Sequence, residues 1–212
     1  PAMLQMAAEQ KIPVNCVPRS MLDKVHPAHQ GVVLEVSGYP YVNLVDILEH
    51  AEQQKQEPFI LMLDSLNDPQ NFGALLRTAE AVGVHGVILP LAHSVEVTPA
   101  VVNASSGASE HLLIAQGNLS QAIDELRQAN AWVVGLDEKG APYTRDHESR
   151  LQGGLALVVG SEGEGIRQLV RSKCDFLLRL PMAGRIDSLN AAAAGSVVLY
   201  LAYLAREKKE AG

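Results

Sequence analysis

The sequence predicts an α/β fold, a parallel sheet covered by helices on both faces. Three observations carry this. From residue 59 onward, short unbroken apolar runs alternate with stretches of helical periodicity. The apolar runs lack the polar alternation of a half-solvated strand, as expected for strands buried on both faces. Polar, glycine-bearing turns follow several of the runs, and in such folds these turns gather at the carboxyl edge, where ligands bind.

The elements follow in order. Residues 59–63, Phe-Ile-Leu-Met-Leu, read as a first strand. Pro69 suits the first turn of a helix. Phe72, Leu75, Leu76 and Ala79 give the helix over 71–82 its apolar face, and Gly83 closes it. Strands are predicted at 86–90, 112–115, 131–136, 155–159 and 176–180. An amphipathic helix is predicted at 119–128, a helix after the glycine-rich 160–165 runs to about 172, and a long one spans 189–206. Before residue 58 the pattern is weaker. Residues 12–17 and 31–36 read as strands, Ser37-Gly38-Tyr39-Pro40 as a linker, and 42–56 as a polar-faced helix. The division is therefore an N-terminal block at 1–37, a linker and helix at 38–57, and the main domain at 58–212.

Composition narrows the function. Aromatic residues are 4% of the 212, too few for a stacking platform for single-stranded bases. No apolar run reaches the ~20 residues of a membrane-spanning helix. Pro1-Ala2-Met3-Leu4 has neither a signal peptide's pattern nor an initiator Met, and reads as a cut fragment. Cys16 and Cys174, 158 positions apart, lack metal-ligand neighbours, and a reducing cytoplasm is the expected compartment. The net charge of −7 speaks against a polyanionic partner, but between Lys139 and Arg185 eight Lys/Arg face five Asp/Glu. His26 and His29 form an HxxH pair, too sparse for a metal site.

Three segments carry chemistry. The first is Asn67 to Arg77, in which Asn71 is either a helix cap or a site residue and Arg77 either a surface ion-pair partner or a functional cation. The second is Gly160-Ser161-Glu162-Gly163-Glu164-Gly165. It differs from the dinucleotide fingerprint at Glu162, whose carboxylate would repel a pyrophosphate, and no GxxxxGK[ST] loop exists. The third is Leu180-Pro181-Met182-Ala183-Gly184-Arg185-Ile186-Asp187-Ser188-Leu189-Asn190, before a run of alanines. Ser188 there reads as the cap of the last helix.

Taken together, the three segments resemble the motifs of the SpoU (TrmH-like) branch of the SPOUT superfamily, which are RNA ribose 2′-O-methyltransferases. They match as Asn71 with Arg77, Gly160/Glu162/Gly165, and Pro181/Met182/Gly184/Ser188/Leu189/Asn190. The likeness is greatest to enzymes that methylate a guanosine ribose of 23S rRNA, through phrases such as Asp68-Pro69-Gln70-Asn71-Phe72-Gly73-Ala74. Residues 26–33 resemble the last segment of an N-terminal L30e-like RNA-binding domain whose first half is missing.

The resemblance implies a C-terminal trefoil knot, a homodimer, S-adenosylmethionine as cofactor and structured RNA as substrate, rRNA or else tRNA. It involves neither metal nor membrane. It assigns cofactor contacts to Gly160, Leu180, Met182 and Leu189 and activation of the ribose hydroxyl to Arg77; for catalysis, Asn71 and Glu162 are then expected to hold Arg77 and the ribose in place, and Ser188 and Asn190 to line the methyl-transfer site. Arg145, Arg150, Arg167 and Arg185 are candidate phosphate contacts. Val197, Val198, Leu199, Leu201 and Leu204 make the last helix apolar nearly all round, for a dimer interface or for the monomer core. Two other readings stand beside the enzyme: a catalytically inactive RNA-binding adaptor on the same fold, and an unrelated α/β enzyme with a nucleotide cofactor.

Overall fold

The computed structural model describes residues 2–27, 29–92 and 95–210. Ala28, within the L30e-like segment, and the chain-end positions 1 and 212 of the domain boundaries lie outside them. The chain forms two compact units, Pro1–Gly38 and Tyr39–Gly212.

The first unit holds two helices, α1 (Ala2–Glu9) and α2 (Arg19–Val25). The strands expected at 12–17 and 31–36 do not form. Both segments are without regular structure, because a strand needs a neighbouring ladder for its N–H and C=O groups and no strand occurs among the unit's described residues. His29 is buried; its Nδ1 accepts from the Gly31 amide at 2.7 Å, so Nε2 carries the proton and donates to Asp23 at 3.0 Å.

The second unit is the expected α/β layer structure. In order, its elements are α3 (Leu44–Gln53), β1 (Phe59–Asp64), α4 (Pro69–Ala81), β2 (Gly86–Pro90), α5 (Pro99–Ala104), β3 (Leu113–Gly117), α6 (Leu119–Gln128), β4 (Ala131–Pro142), α7 (Glu148–Leu151), β5 (Gly154–Gly160), α8 (Gln168–Lys173), β6 (Phe176–Arg179) and α9 (Ala191–Glu210). The sheet is wholly parallel, ordered β3-β2-β1-β5-β4-β6. Every residue of β1, β2 and β5 is buried, which explains their uninterrupted apolar sequence.

Alternate side chains divide between two cores. Leu61, Leu63, Val87 and Leu157 face α4 and α9, while Ile60, Met62, Ile88 and Val158 face α3, α6 and α8. Helix α3, placed in the sequence reading within a 38–57 linker, belongs to this unit, and its Ile47 is fully buried in the second core.

Two helix starts differ from expectation. The cap of α4 is Asp68, whose carboxylate accepts from the Gln70 and Asn71 amides at 3.1 and 3.2 Å; Asn71 lies inside the first turn. The cap of α9 is Asn190, whose Oδ1 accepts from the Ala192 and Ala193 amides at 2.9 and 3.1 Å; Ser188 lies before it. In both cases the acceptor sits two and three residues before its amide donors, the reach a capping side chain requires. Gly83, with φ +73°, closes α4 as expected. Strand β4 runs six residues beyond its predicted end, with a register break between Leu136 and Ala141.

Two stability predictions follow from this packing. A Cβ on Gly73 would lie 2.5 Å from Ala104 Cβ and 2.7–2.8 Å from the backbone of Ala104 and Ser105. Gly73→Ala gains about 1 kcal/mol of helix propensity, but overpacking against a backbone costs ~1–3 kcal/mol. The variant should be destabilised in urea denaturation, and an unchanged or raised midpoint would contradict the tight α4–α5 contact.

His85 is 4% exposed and neutral. Its Nδ1 accepts from the Phe59 amide at 2.9 Å, and burial, aided by Arg206 and His50, pushes its pKa from 6.5 down to about 4. The unfolded chain binds this proton below about pH 6.5 and the folded chain only near pH 4, so stability falls as the pH drops through that window. The stability read by chemical denaturation should fall less steeply from about pH 7 to about pH 4.5 for His85→Gln than for the parent.

Candidate active site

The strand order reverses at β1. The chain moves outward from β1 to β2 and β3, then returns to place β5 on the other side of β1. The crevice at the carboxyl ends of β1 and β5 is therefore the switch point where α/β sheets hold ligands. Register pairs Asp64, the last residue of β1, with Gly160, the last of β5. Asn71 follows the first and Glu162 the second.

After Gly160 the chain makes a narrow hairpin. The Ser161 and Gly165 amides and carbonyls pair reciprocally at 3.2 and 3.0 Å, and Gly163 and Gly165 take φ of +89° and +69°. A Cβ on Gly160 would fall 2.1 Å from the carbonyl carbon of Gly165, so no side chain fits where the hairpin's ends meet.

The hairpin presents Glu162 to two asparagines. Asn71 Nδ2 donates to Glu162 Oε1 at 2.9 Å, and Asn190 Nδ2 donates to Asn71 Oδ1 at 3.0 Å and also to Glu162 Oε1. Residues from all three sequence segments, 91 and 28 positions from Glu162, thus meet in one network. Asn190 uses both ends of its amide, with Oδ1 capping α9 and Nδ2 bound to the cluster.

Beside this network lies a cleft of about 530 Å³. Gly160, Leu180, Met182 and Leu189, the expected cofactor contacts, all line it, as do Glu162, Ser188 and Asn190. Asn71 joins through its bonds to Glu162 and Asn190. Arg77 does not join. It is exposed on α4, and Nη1 donates to Ser106 Oγ at 3.4 Å. Asn71 and Glu162 therefore hold each other and Asn190, and not Arg77: six residues along a helix carry Arg77 nearly two turns from Asn71. Of the suggested phosphate contacts, Arg167 has its Nε committed to Asp64 at 2.6 Å, and Arg150 lies over the Phe176 ring at 5.1 Å.

The sequence reading missed part of the lining. The register break in β4 turns Asp137, Glu138 and Lys139 into the cleft, and β6 ends there in Arg179. Asp137 accepts from Arg171 Nη2 and from the Lys139 amide, both at 2.8 Å. The signal was Asp137-Glu138-Lys139-Gly140, a polar run ending in glycine directly after an apolar strand.

Comparison with known proteins agrees with this arrangement. Residues 58–200 match the SpoU rRNA Methylase family, and residues 1–42 match the family described as RNA 2′-O ribose methyltransferase substrate binding. The chain is 43% identical over 206 residues to YacO of Bacillus subtilis, assigned to the TrmH family of tRNA/rRNA methyltransferases. That match covers 96% of this chain and 82% of the relative. Among solved structures, the SpoU methyltransferase AviRb of Streptomyces viridochromogenes, in complex with AdoMet, superposes with a TM-score of 0.68 at 29% identity, over 82% of this chain and 67% of that one. An AdoMet-bound rRNA methyltransferase of Sinorhizobium meliloti gives 0.66 at 30%, over 77% and 60%.

The parallel six-stranded α/β sheet and the family match together place the chain in the class of SpoU-type RNA methyltransferases. The chain belongs to the SpoU/TrmH family, whose cofactor is S-adenosylmethionine.

The cleft suits that cofactor chemically. Leu136, Val159, Leu180 and Leu189 give apolar surface for an adenine ring, and the carboxylates of Glu162, Glu164 and Asp187 are the right sign for a sulfonium. Its volume is within the usual range for such ligands, roughly 300–1,000 Å³.

The double use of Asn190 is testable. Asn190→Ala removes the α9 cap and should cost ~1 kcal/mol in urea denaturation. Asn190→Ser keeps a capping oxygen without setting a second carboxylate beside Glu162 and should recover most of that loss. Equal destabilisation by both would show that the cap contributes little.

Proposed function

We propose that this chain transfers the methyl group of S-adenosylmethionine to a ribose 2′-hydroxyl of structured RNA, with a guanosine of rRNA as the preferred acceptor. The observation that carries this reading is the meeting of Asn71, Glu162 and Asn190 at the rim of a cleft lined by Gly160, Leu180, Met182 and Leu189. Relatives support both RNA classes: YacO is described by tRNA and rRNA together, and a structure concerning 2-OH methylation of C/U34 on tRNA superposes with a TM-score of 0.62 at 27% identity.

The bound cofactor supplies a methyl group already activated by its positive sulfur, so the protein's task is the acceptor oxygen. A neutral 2′-hydroxyl is a weak nucleophile, and its developing charge must be stabilised or its proton removed. A guanidinium stays protonated at neutral pH and so has no lone pair with which to take that proton. The exposed position of Arg77 suits a different part: it binds an RNA phosphate in bidentate fashion and stabilises negative charge on the ribose oxygen. Asn71, Glu162 and Asn190 hold the rim in a fixed shape against which the ribose is placed, and Ser188 lines the transfer site.

The remaining features belong to the same proposal. Strand β6 lies at the sheet edge beyond β4, whereas α9 packs on α4 and β5 further in. The segment 180–190 crosses between them, and the trefoil knot is proposed to lie at this crossing. The first unit acts as a substrate-binding segment of L30e-like type, in keeping with the family matched by residues 1–42. Val197, Tyr200 and Leu204 of α9 are each more than 40% exposed, and support a homodimer through that helix. The unpaired thiols of Cys16 and Cys174 suit the reducing cytoplasm.

Calorimetric titration with S-adenosylhomocysteine should give saturable binding near one ligand per chain. Arg77→Ala should keep that binding while methyl transfer to rRNA falls by ~10²–10³. Normal turnover by the variant would remove Arg77 from the mechanism. Cofactor binding without methylation of any RNA by the parent chain would favour the inactive adaptor.

A further inference from the structure

The Glu162 hairpin is narrow and glycine-rich, and its internal bonds fix its shape but not its placement over the sheet. Besides the Glu162 contacts at the rim, one contact at its base bears on that placement. Asp64 is wholly buried at the end of β1. Its Oδ2 accepts from the Arg167 amide at 2.8 Å, its Oδ1 from Arg167 Nε at 2.6 Å, and Ser65 Oγ lies 3.4 Å from Oδ1. Arg167 is the residue at which the loop ends and α8 begins. The residue before it, Ile166, is buried in the core beneath.

Directly after Asp64 the chain turns through Ser65, with φ +62°, toward α4 and Asn71. Asp64 thus joins the strand that launches Asn71 to the end of the loop that carries Glu162. Asp64 is buried while the Arg167 side chain is 45% exposed, and such a pair is a weak source of net stability, because desolvation of the carboxylate offsets most of its attraction. Held through both main chain and side chain, it is a strong source of fixed geometry.

We propose that Asp64 and Arg167 are positioning residues for the transfer reaction: their clamp sets the Glu162 hairpin in register with Asn71 and Asn190. The proposal rests on the methyltransferase reading and concerns neither substrate contact nor the cofactor itself. A misplacement of about 1 Å at a reacting centre can cost about 10²-fold in rate, so the clamp should be visible in kcat.

The test uses the full chain with Arg167→Ala, Arg167→Lys, Asp64→Asn, Glu162→Ala and the Glu162→Ala/Arg167→Ala double variant. Arg167→Ala should lower kcat for RNA methylation by about 10- to 10²-fold with little change in KM, and Arg167→Lys should restore part of it. In the Glu162→Ala background Arg167→Ala should add almost nothing, because the group it positions is gone. Losses that multiply in the double variant, or an Arg167→Ala kcat equal to the parent's, would overturn the proposal. If Arg167→Ala does not fold, Asp64→Asn, which keeps the side chain's shape, is read in its place.

Hydrogen exchange over residues 160–167 supplies a readout independent of turnover. The Ser161 and Gly165 amides should exchange faster in the clamp variants, and unchanged exchange would sink the clamp whatever the activity. Absence of methyl transfer by the parent chain would count against the functional reading alone and leave the exchange result to decide the clamp.

Discussion

The parallel register of β1 against β5 is the constraint on which the site depends. The two strands pair from Phe59 with Leu155 to Asp64 with Gly160, and every residue in both is buried. A slip of one residue would exchange the two faces of either strand, moving Leu61 and Leu157 from one core to the other. Two packed cores, one under α4 and α9 and one under α3, α6 and α8, therefore fix where the strands end. Those ends set the distance between Asn71 and Glu162. The short polar contacts at the rim are a late consequence of apolar packing deep in the sheet.

Much of this was legible in the sequence because the information is local. Unbroken apolar runs give strands buried on both faces, and five of the six were placed within two residues at each end, β4 running six residues further. The helix face of Phe72, Leu75, Leu76 and Ala79 was equally plain. Information that depends on a partner was not legible. Residues 12–17 and 31–36 have strand-like composition, yet without a neighbour composition gives no ladder. Caps were misplaced for a related reason. Asp68, Asn71, Ser188 and Asn190 are all good capping types, and only the position of the first helical amides selects Asp68 and Asn190.

The candidate site shows the same division. Motif likeness located the lining residues Gly160, Leu180, Met182 and Leu189, but the β4 register break that brings in Asp137 and Lys139 is a property of pairing with β6. Gly140 is where that pairing leaves its trace, since a Cβ there would meet the Leu177 carbonyl carbon at 2.6 Å. The grouping of Arg77 with Asn71 came from motif likeness. Six residues place two side chains on different parts of its surface, and the structure gives Arg77 to Ser106 and Asn71 to Glu162.

That separation makes electrostatic sense under the proposed reading. The cleft carries Glu162, Glu164 and Asp187, a set that favours a cationic sulfonium and disfavours a phosphate. One of its arginines, Arg171, is paired with Asp137. RNA, a polyanion, gains little by entering such a cleft and must be held from outside while only a ribose edge reaches the rim. A cation serving the substrate is then better placed on the exposed flank of α4, where Arg77 stands, than inside. The net charge of −7 fits the same logic, because the chain needs no general attraction for nucleic acid if phosphate contacts are few and local. Positive charge on the substrate's side and negative charge on the cofactor's side also keep each partner from occupying the other's place.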